Sequence, residues 1–176
     1  MADKKEVFRD KLGRKVKTEY RTENGTLKCV NEYYYNGNSR KSLKGLQTCY
    51  DDKGNVVAKN DFAYSDSRDR LVLTKERMYN EEKDIIRERS FDKETRKLTE
   101  EKIFKRNKKG FMFAQCKTFD ENGKVKTTDI FVVIAEKLFS IEGFKESKGL
   151  RELENPFEPK NNIIANTFRR LVGKNY

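Results

Sequence analysis

Three consecutive tyrosines are followed closely by basic residues, which gives five candidate partner-binding residues: Tyr33, Tyr34, Arg40, Lys41 and Lys44. Aromatic rings can stack on nucleic-acid bases while lysine and arginine contact phosphates, so nucleic-acid binding is one chemistry for this cluster. The rings can instead have a structural role and pack against other side chains of the fold. If the segment is a strand, Tyr33 and Tyr35 pack on one face and Tyr34 stays partly exposed, which is the interpretation we favour.

Catalytic and metal-binding patterns are weak in this sequence. It contains no histidine, so serine and cysteine nucleophiles lack their commonest base. The Ser90-x-x-Lys93 spacing falls on a predicted turn without the motifs that accompany it in acyl-transfer enzymes. Acidic pairs such as Asp51-Asp52 are typical of solvated surface. The three cysteines, Cys29, Cys49 and Cys116, have no zinc-site spacing. We expect a non-enzymatic protein with no metal and no cofactor.

Composition indicates a folded protein with a thin core. Of the 176 residues 35% are apolar and 39% charged, yet twelve phenylalanines and eight tyrosines are spread along the chain. The net charge is +11; residues 132–176 hold eight basic and six acidic residues, so residues 1–131 carry +9. This spread of charge favours a weakly basic face over a basic tail. The N-terminal residues lack an apolar signal region, and we therefore expect a cytoplasmic protein.

A repeat organises residues 1–131. Aromatic residues recur every 12–15 positions, and most precede a polar stretch rich in Asp, Asn, Ser or Gly: Phe8, Tyr20, Tyr35, Tyr50, Tyr64, Tyr79, Phe91, Phe104, Phe119 and Phe131. Asn-Gly and similar pairs suit hairpin turns, and an apolar or β-branched start follows each turn. The pattern predicts a mainly β, antiparallel up-and-down meander of about nine strands. It also places Cys29 nearly opposite Cys49.

The strand centres are charged on both faces, because side chains alternate sides along a strand and these segments are runs of charge: Lys75-Glu76-Arg77, Arg87-Glu88-Arg89 and Glu100-Glu101-Lys102. We therefore favour an open, twisted single-layer sheet over the alternative, a barrel with a polar interior. The apolar residues should gather at the rims, with Tyr50 beside Val56 or Val57 and Tyr79 beside Ile85 or Ile86.

The repeat unit resembles the MORN-variant and YD-type β-hairpin repeats of bacterial proteins. The resemblance rests on Tyr20-RTENGTLK, Tyr50-DDKGNVVAK and Phe119-DENGKVK, and in outline it covers residues 8–131. It implies an elongated sheet used for protein or lipid contacts, and it transfers no catalytic residues.

The aromatic repeat ends after Phe131, and residues 132–176 form a C-terminal extension. Residues 132–139 suit a last strand or a short helix, and residues 142–160, with both prolines, suggest a linker. Helical spacing then predicts an amphipathic helix over 161–172. Its apolar side includes Phe168, and Arg169 and Arg170 lie off that side; these three are further candidate partner-binding residues. We expect this helix to pack on the sheet; docking in a partner's groove or on a membrane is the alternative.

Three functions follow from these patterns. The leading hypothesis is a non-enzymatic scaffold that binds a protein partner through its extended repeat surface. The second is RNA or DNA binding by a basic sheet face, and the third is membrane-surface association through the basic body and the C-terminal helix. Exposed edge strands also offer a surface for an edge-to-edge homodimer.

Overall fold

The polar segments of the repeat form hairpin turns, and the segments between them are β-strands. The computed structural model describes residues 4–134, 137–141 and 156–157. Its strands are β1 (Lys4–Arg9), β2 (Lys15–Arg21), β3 (Leu27–Tyr35), β4 (Ser42–Tyr50), β5 (Val56–Ser65), β6 (Arg70–Tyr79), β7 (Ile85–Phe91), β8 (Leu98–Arg106), β9 (Met112–Phe119), β10 (Val125–Ile134) and β11 (Lys137–Ser140). They form one open antiparallel sheet ordered from β1 to β11. The open meander predicted from the sequence is confirmed, and the barrel alternative is wrong.

The nine predicted strands correspond to β2–β10, and β1 and β11 extend the sheet at its two ends. Residues 132–134 and 137–139 belong to strands, since β10 continues to Ile134 and pairs with β11. The predicted register also holds: Cys29 lies opposite Cys49, Tyr50 opposite Val56 and Tyr79 opposite Ile85. The helix predicted over 161–172, and with it Phe168, Arg169 and Arg170, lies outside the described residues.

One turn geometry recurs along the sheet, and the turn after β4 shows it. The backbone N–H of Asp51 donates to Asn55 O at 2.9 Å, and that of Gly54 donates to Asp51 O at 3.1 Å. Asp51 Oδ1 accepts the N–H groups of Lys53 and Asn55 at 2.9 and 2.8 Å. The same backbone pattern begins at Asp10, Thr22, Asn80, Asn107 and Asp120. It is the three-residue hairpin loop, whose last residue is left-handed.

Glycine fits that last position because it adopts positive φ without a steric penalty. Gly54 has a φ of +83°, whereas the equivalent residue of the turn after β6 is Lys83, with a φ of +66°. We expect Lys83→Gly to raise the free energy of unfolding by about 0.5–1 kcal/mol, the net of relieved strain and greater unfolded-state freedom. Chemical denaturation would measure the change. Gly54→Lys should show the opposite sign, and a destabilising Lys83→Gly would contradict this account.

The centre of the sheet carries a network of ion pairs on one face. Glu88 in β7 is its hub, with its carboxylate oxygens 3.0 Å from Arg77 Nε and 3.5 Å from the Nζ atoms of Lys75 and Lys102. Asp61 pairs with Arg77 at 3.1 Å, and Glu100 pairs with Lys102 at 3.0 Å. The six side chains comprise three of each sign, so their charges cancel.

The opposite face of the same strands carries a second network. Glu76, Arg89 and Glu101 share one cross-strand row, which is offset by one residue from the row of Glu88 and therefore faces the other way. Glu101 accepts from Arg87 at 2.5 Å and from Arg89 at 3.2 Å, and Glu76 lies 3.4 Å from Arg89. Two acids and two bases again cancel. The prediction of charge on both faces of the strand centres is therefore confirmed.

The chain divides into two compact units, 1–104 with 115–129 and 105–114 with 130–176. In the described part of the second unit, Phe113 and Val132 are fully buried. Four half-buried side chains pack against them, contributed by Phe111, Ile130, Ile141 and Phe157. The first unit holds the β2–β6 region and the candidate site.

Candidate functional site: a tyrosine depression

An open depression of about 340 Å³ lies at one rim of the sheet in the first unit. Hairpin turns of a meander alternate between the two rims, so the turns after β3 and β5 lie at the same rim. The depression is named here the tyrosine depression. Its lining comprises three tyrosines (Tyr33, Tyr35 and Tyr64), four charged residues (Lys15, Lys41, Asp69 and Arg70), and Ser42 and Leu71.

A glycine in β4 shapes the floor. Tyr33, Gly45 and Phe62 are aligned across β3, β4 and β5 and therefore share a face. A Cβ on Gly45 would lie 3.1 Å from Leu71 Cδ1 and 3.5 Å from Phe62 Cβ. The missing side chain thus lets Leu71 reach across β5 and pack over Gly45. The result is an apolar floor between the tyrosine rings.

Cations lie over all three rings, and two of these contacts are close. Lys15 Nζ is 4.3 Å from the centre of the Tyr33 ring, and the Arg14 guanidinium is 4.7 Å from that of Tyr35. The Tyr35 hydroxyl donates to the Lys15 carbonyl at 2.8 Å, and Arg14 Nη1 donates to the carbonyls of Gly37 and Ser39 at 2.6 and 3.0 Å. These bonds tie the first turn to the third, and they fix the orientation of the rings.

The third ring belongs to a small polar cluster. Lys41 Nζ lies 2.5 Å from Asp69 Oδ1 and 3.1 Å from the Tyr64 hydroxyl, which itself donates to Asp69. The hydrogen bond that Lys41 donates to Asp69, followed by the one it donates to Tyr64, raises the pKa of Lys41. Lys41, followed by Tyr64, lowers the pKa of Asp69. Both groups therefore keep their charges through neutral pH.

The depression carries an excess of positive charge. Lys41 is paired with Asp69, and Arg14 is paired with Asp10 at 2.7 Å. Within the part of the chain that the structure describes, neither Lys15 nor Arg70 has an ion-pair partner. Both therefore remain available to an anionic group. Lys15 is half-buried and already oriented over a tyrosine ring.

The structure separates the candidate residues of the tyrosine cluster. It brings Tyr33 and Lys41 together in the depression. Tyr34 is 47% exposed and lies opposite Lys44 in the β3–β4 pair, so the two share the other face of the sheet. Arg40 is exposed in the turn between these strands. As expected for a strand, Tyr33 and Tyr35 line one face while Tyr34 is partly exposed on the other.

Seven of the nine lining residues were not among the candidates: Lys15, Tyr35, Ser42, Tyr64, Asp69, Arg70 and Leu71. The sequence feature that could have identified them is the alternation of hairpin turns between the two rims of the sheet. In a meander the polar segment after Tyr64 must lie at the same rim as the turn after Tyr35, with one hairpin between them. Once the strand order is known, Lys41 and Asp69 are predicted to lie in adjacent turns of the same rim.

Among the residues described, no group of three or more His, Cys, Asp or Glu side chains is placed to hold a metal ion. The described part of the chain also contains no helix with the length and apolarity needed to cross a membrane.

Comparison with known proteins gives no information about function. No protein-family model matches the chain, and no curated protein matches it. A protein of unknown function from Bacteroides fragilis NCTC 9343 is similar in structure with a TM-score of 0.28 and 10% identity, over 77% of this chain and 94% of that one. A DUF3836 family protein from Parabacteroides distasonis ATCC 8503 is similar with a TM-score of 0.26 and 9% identity, over 83% of this chain and 96% of that one. Similarities this weak carry no argument about function.

Proposed function

We propose that the protein is a non-enzymatic interaction scaffold that binds an acidic segment of a protein partner, with the tyrosine depression as the anchoring point. The observation that carries the proposal is the combination of three tyrosine rings with two cations, on Lys15 and Arg70, that lack ion-pair partners among the described residues. Tyrosine and arginine are enriched where protein surfaces bind each other. An acidic residue beside an apolar one would match both parts of the depression.

The charge distribution favours a protein over a nucleic acid. A polyanion gains affinity from each phosphate that it pairs with a cation, so it needs a long positive track. In this sheet the networks around Glu88 and Glu101 neutralise the central cations on both faces. At the depression itself, two lining cations, Lys15 and Arg70, have no ion-pair partner among the described residues, and two cations suit one or two carboxylates.

The behaviour of the polar cluster fits binding rather than proton transfer. A general acid or base works best with a pKa near the operating pH. The pKa of Lys41 is raised and that of Asp69 is lowered, so both are moved away from neutrality. They act as fixed charges that hold the Tyr64 ring in place. The resemblance to MORN-variant and YD-type repeats agrees with this proposal, since it implies a sheet used for contacts.

The proposal is tested by selecting peptides from a random display library on the immobilised full chain. We expect enrichment of sequences that combine Asp or Glu with aromatic or aliphatic residues. A labelled synthetic copy of a selected peptide then gives the affinity by fluorescence anisotropy. The double variant Lys15→Glu with Tyr33→Ala should weaken binding about tenfold or more, since it removes a cation and a ring from the depression.

The matched control is the double variant Lys44→Glu with Tyr34→Ala. It makes the same changes in charge and side-chain type on the opposite face, and we expect less than about a twofold change in affinity. Circular dichroism checks that both variants fold. Equal losses in the two variants, or a library that yields no binder, would contradict the proposal. If single-stranded nucleic acid binds more tightly than the selected peptide, with a steep salt dependence, the nucleic-acid hypothesis would replace this proposal.

A further inference from the structure

Two cysteines face each other across the β3–β4 pair. Cys29 and Cys49 are directly opposite partners, and neither is in a disulfide. Both side chains are half-buried and lie on the face of the sheet that carries Tyr33, because Cys29 is an even number of residues away from it. The third cysteine, Cys116, is buried in β9, five strands from β4.

The geometry of the pair suits a covalent bond. Directly opposite residues of antiparallel strands have Cα atoms about 4.5–5.5 Å apart, depending on the type of pair. Disulfides span Cα distances of about 4.4–6.8 Å, so either type of pair can be bridged without separating the strands. The next residue in the row beyond Cys49 is Ala58, whose small side chain leaves room on that side.

The two thiols differ in reactivity. Burial, followed by the neighbouring Cys29, raises the pKa of the Cys49 thiol to about 12. Cys49 therefore holds its proton at neutral pH, and attack on an external disulfide falls to Cys29. Bonding of an incoming sulfur to Cys29 removes the smaller of these two causes, while burial still disfavours the Cys49 thiolate, so we expect Cys49 to be a slow resolving thiol.

We infer that Cys29 and Cys49 are a reversible redox site that forms a β3–β4 disulfide by exchange with a low-molecular-weight disulfide. The Cys29 thiolate attacks one sulfur of the small disulfide, breaks its S–S bond and releases one thiolate. Cys49 Sγ, after losing its proton to solvent, attacks Cys29 Sγ and releases the second thiolate. One small disulfide is reduced to two thiols, and two protein thiols are oxidised to one disulfide. This site goes beyond the proposed binding function and does not depend on it.

The test exposes the folded full chain to glutathione buffers of increasing oxidised fraction and records intact mass. The oxidised protein should lose the mass of two hydrogens, and peptide mapping should join Cys29 to Cys49. Dithiothreitol should restore the original mass. The thermal unfolding midpoint should be higher in the oxidised form, because the bond restricts the unfolded chain.

Three cysteine variants distinguish the roles of the individual thiols. Cys116→Ser should oxidise like the natural sequence. Cys49→Ser should stop at the mixed disulfide and gain the mass of one glutathionyl group on Cys29, while Cys29→Ser should react far more slowly. A disulfide that involves Cys116 would overturn the inference. It would also fail if the folded chain keeps all three thiols in buffers that oxidise the same chain unfolded in urea.

Discussion

Replacing Phe113 by alanine is expected to lower the free energy of unfolding by about 3–5 kcal/mol, the range for removing a fully buried aromatic side chain. Phe113 and Val132 have no exposed surface, and the half-buried rings of Phe111 and Phe157 pack against them. The strand centres elsewhere are charged, so this cluster is one of few apolar cores that the described residues offer. The loss should approach the stability of a whole domain.

Phe8→Ala is the matched control for that change. Phe8 is 37% exposed and lies in the edge strand β1, so its removal leaves no closed cavity. We expect a loss of about 1 kcal/mol or less. Urea denaturation followed by circular dichroism compares the two variants. Equal losses would show that the cluster around Phe113 contributes no more than surface residues do.

Replacing Glu88 by glutamine is expected to lower the free energy of unfolding by about 1–3 kcal/mol. The side chain of Glu88 is 13% exposed, and its carboxylate faces Arg77, Lys75 and Lys102. Removing its charge leaves these cations facing one another in a partly desolvated setting, where an uncompensated charge is costly. Glu81→Gln is the control, because the pair of Glu81 with Lys53 is exposed and contributes little.

The pH dependence of this loss follows from the pKa of Glu88. Burial alone would raise that pKa, but Lys75, Lys102 and Arg77 together hold it below its ordinary value. A carboxylate with a lowered pKa stabilises the fold above the ordinary value, about 4.3, and its contribution disappears as pH falls through the folded pKa. The stability difference between the natural chain and Glu88→Gln should therefore be constant near pH 7 and shrink below about pH 4. A difference that grows on acidification would contradict the network.

The strands and their register could be predicted because the repeat makes them local properties. Each aromatic of the repeat lies within three residues of the end of a strand, and six of the turns share one geometry. Counting residues outward from the turn at Asn36 therefore places Cys29 opposite Cys49. Alternation alone places adjacent charges of one strand, such as Glu88 and Arg89, on opposite faces.

The tyrosine depression could not be predicted by counting residues along the strands. Its floor depends on the contact of Leu71 with Gly45 across an intervening strand, and its charge depends on which cations have partners. Local sequence specifies neither, because both arise between hairpins that are separated in the chain. Phe157 illustrates the same limit: it falls within a polar segment that predicts a linker, yet it packs against the core around Phe113.

The measurement that tests the central claim most directly is an NMR titration of the isotopically labelled full chain with an acidic peptide selected from the display library. We predict that the largest shifts fall on side-chain signals at the depression, the rings of Tyr33 and Tyr64 and the methyl groups of Leu71, while the Tyr34 ring and the ion-pair network around Glu88 change little. Shifts concentrated on the face of Tyr34 and Lys44 or along β1, or spread evenly over the basic residues, would contradict the assignment of the depression as the binding site.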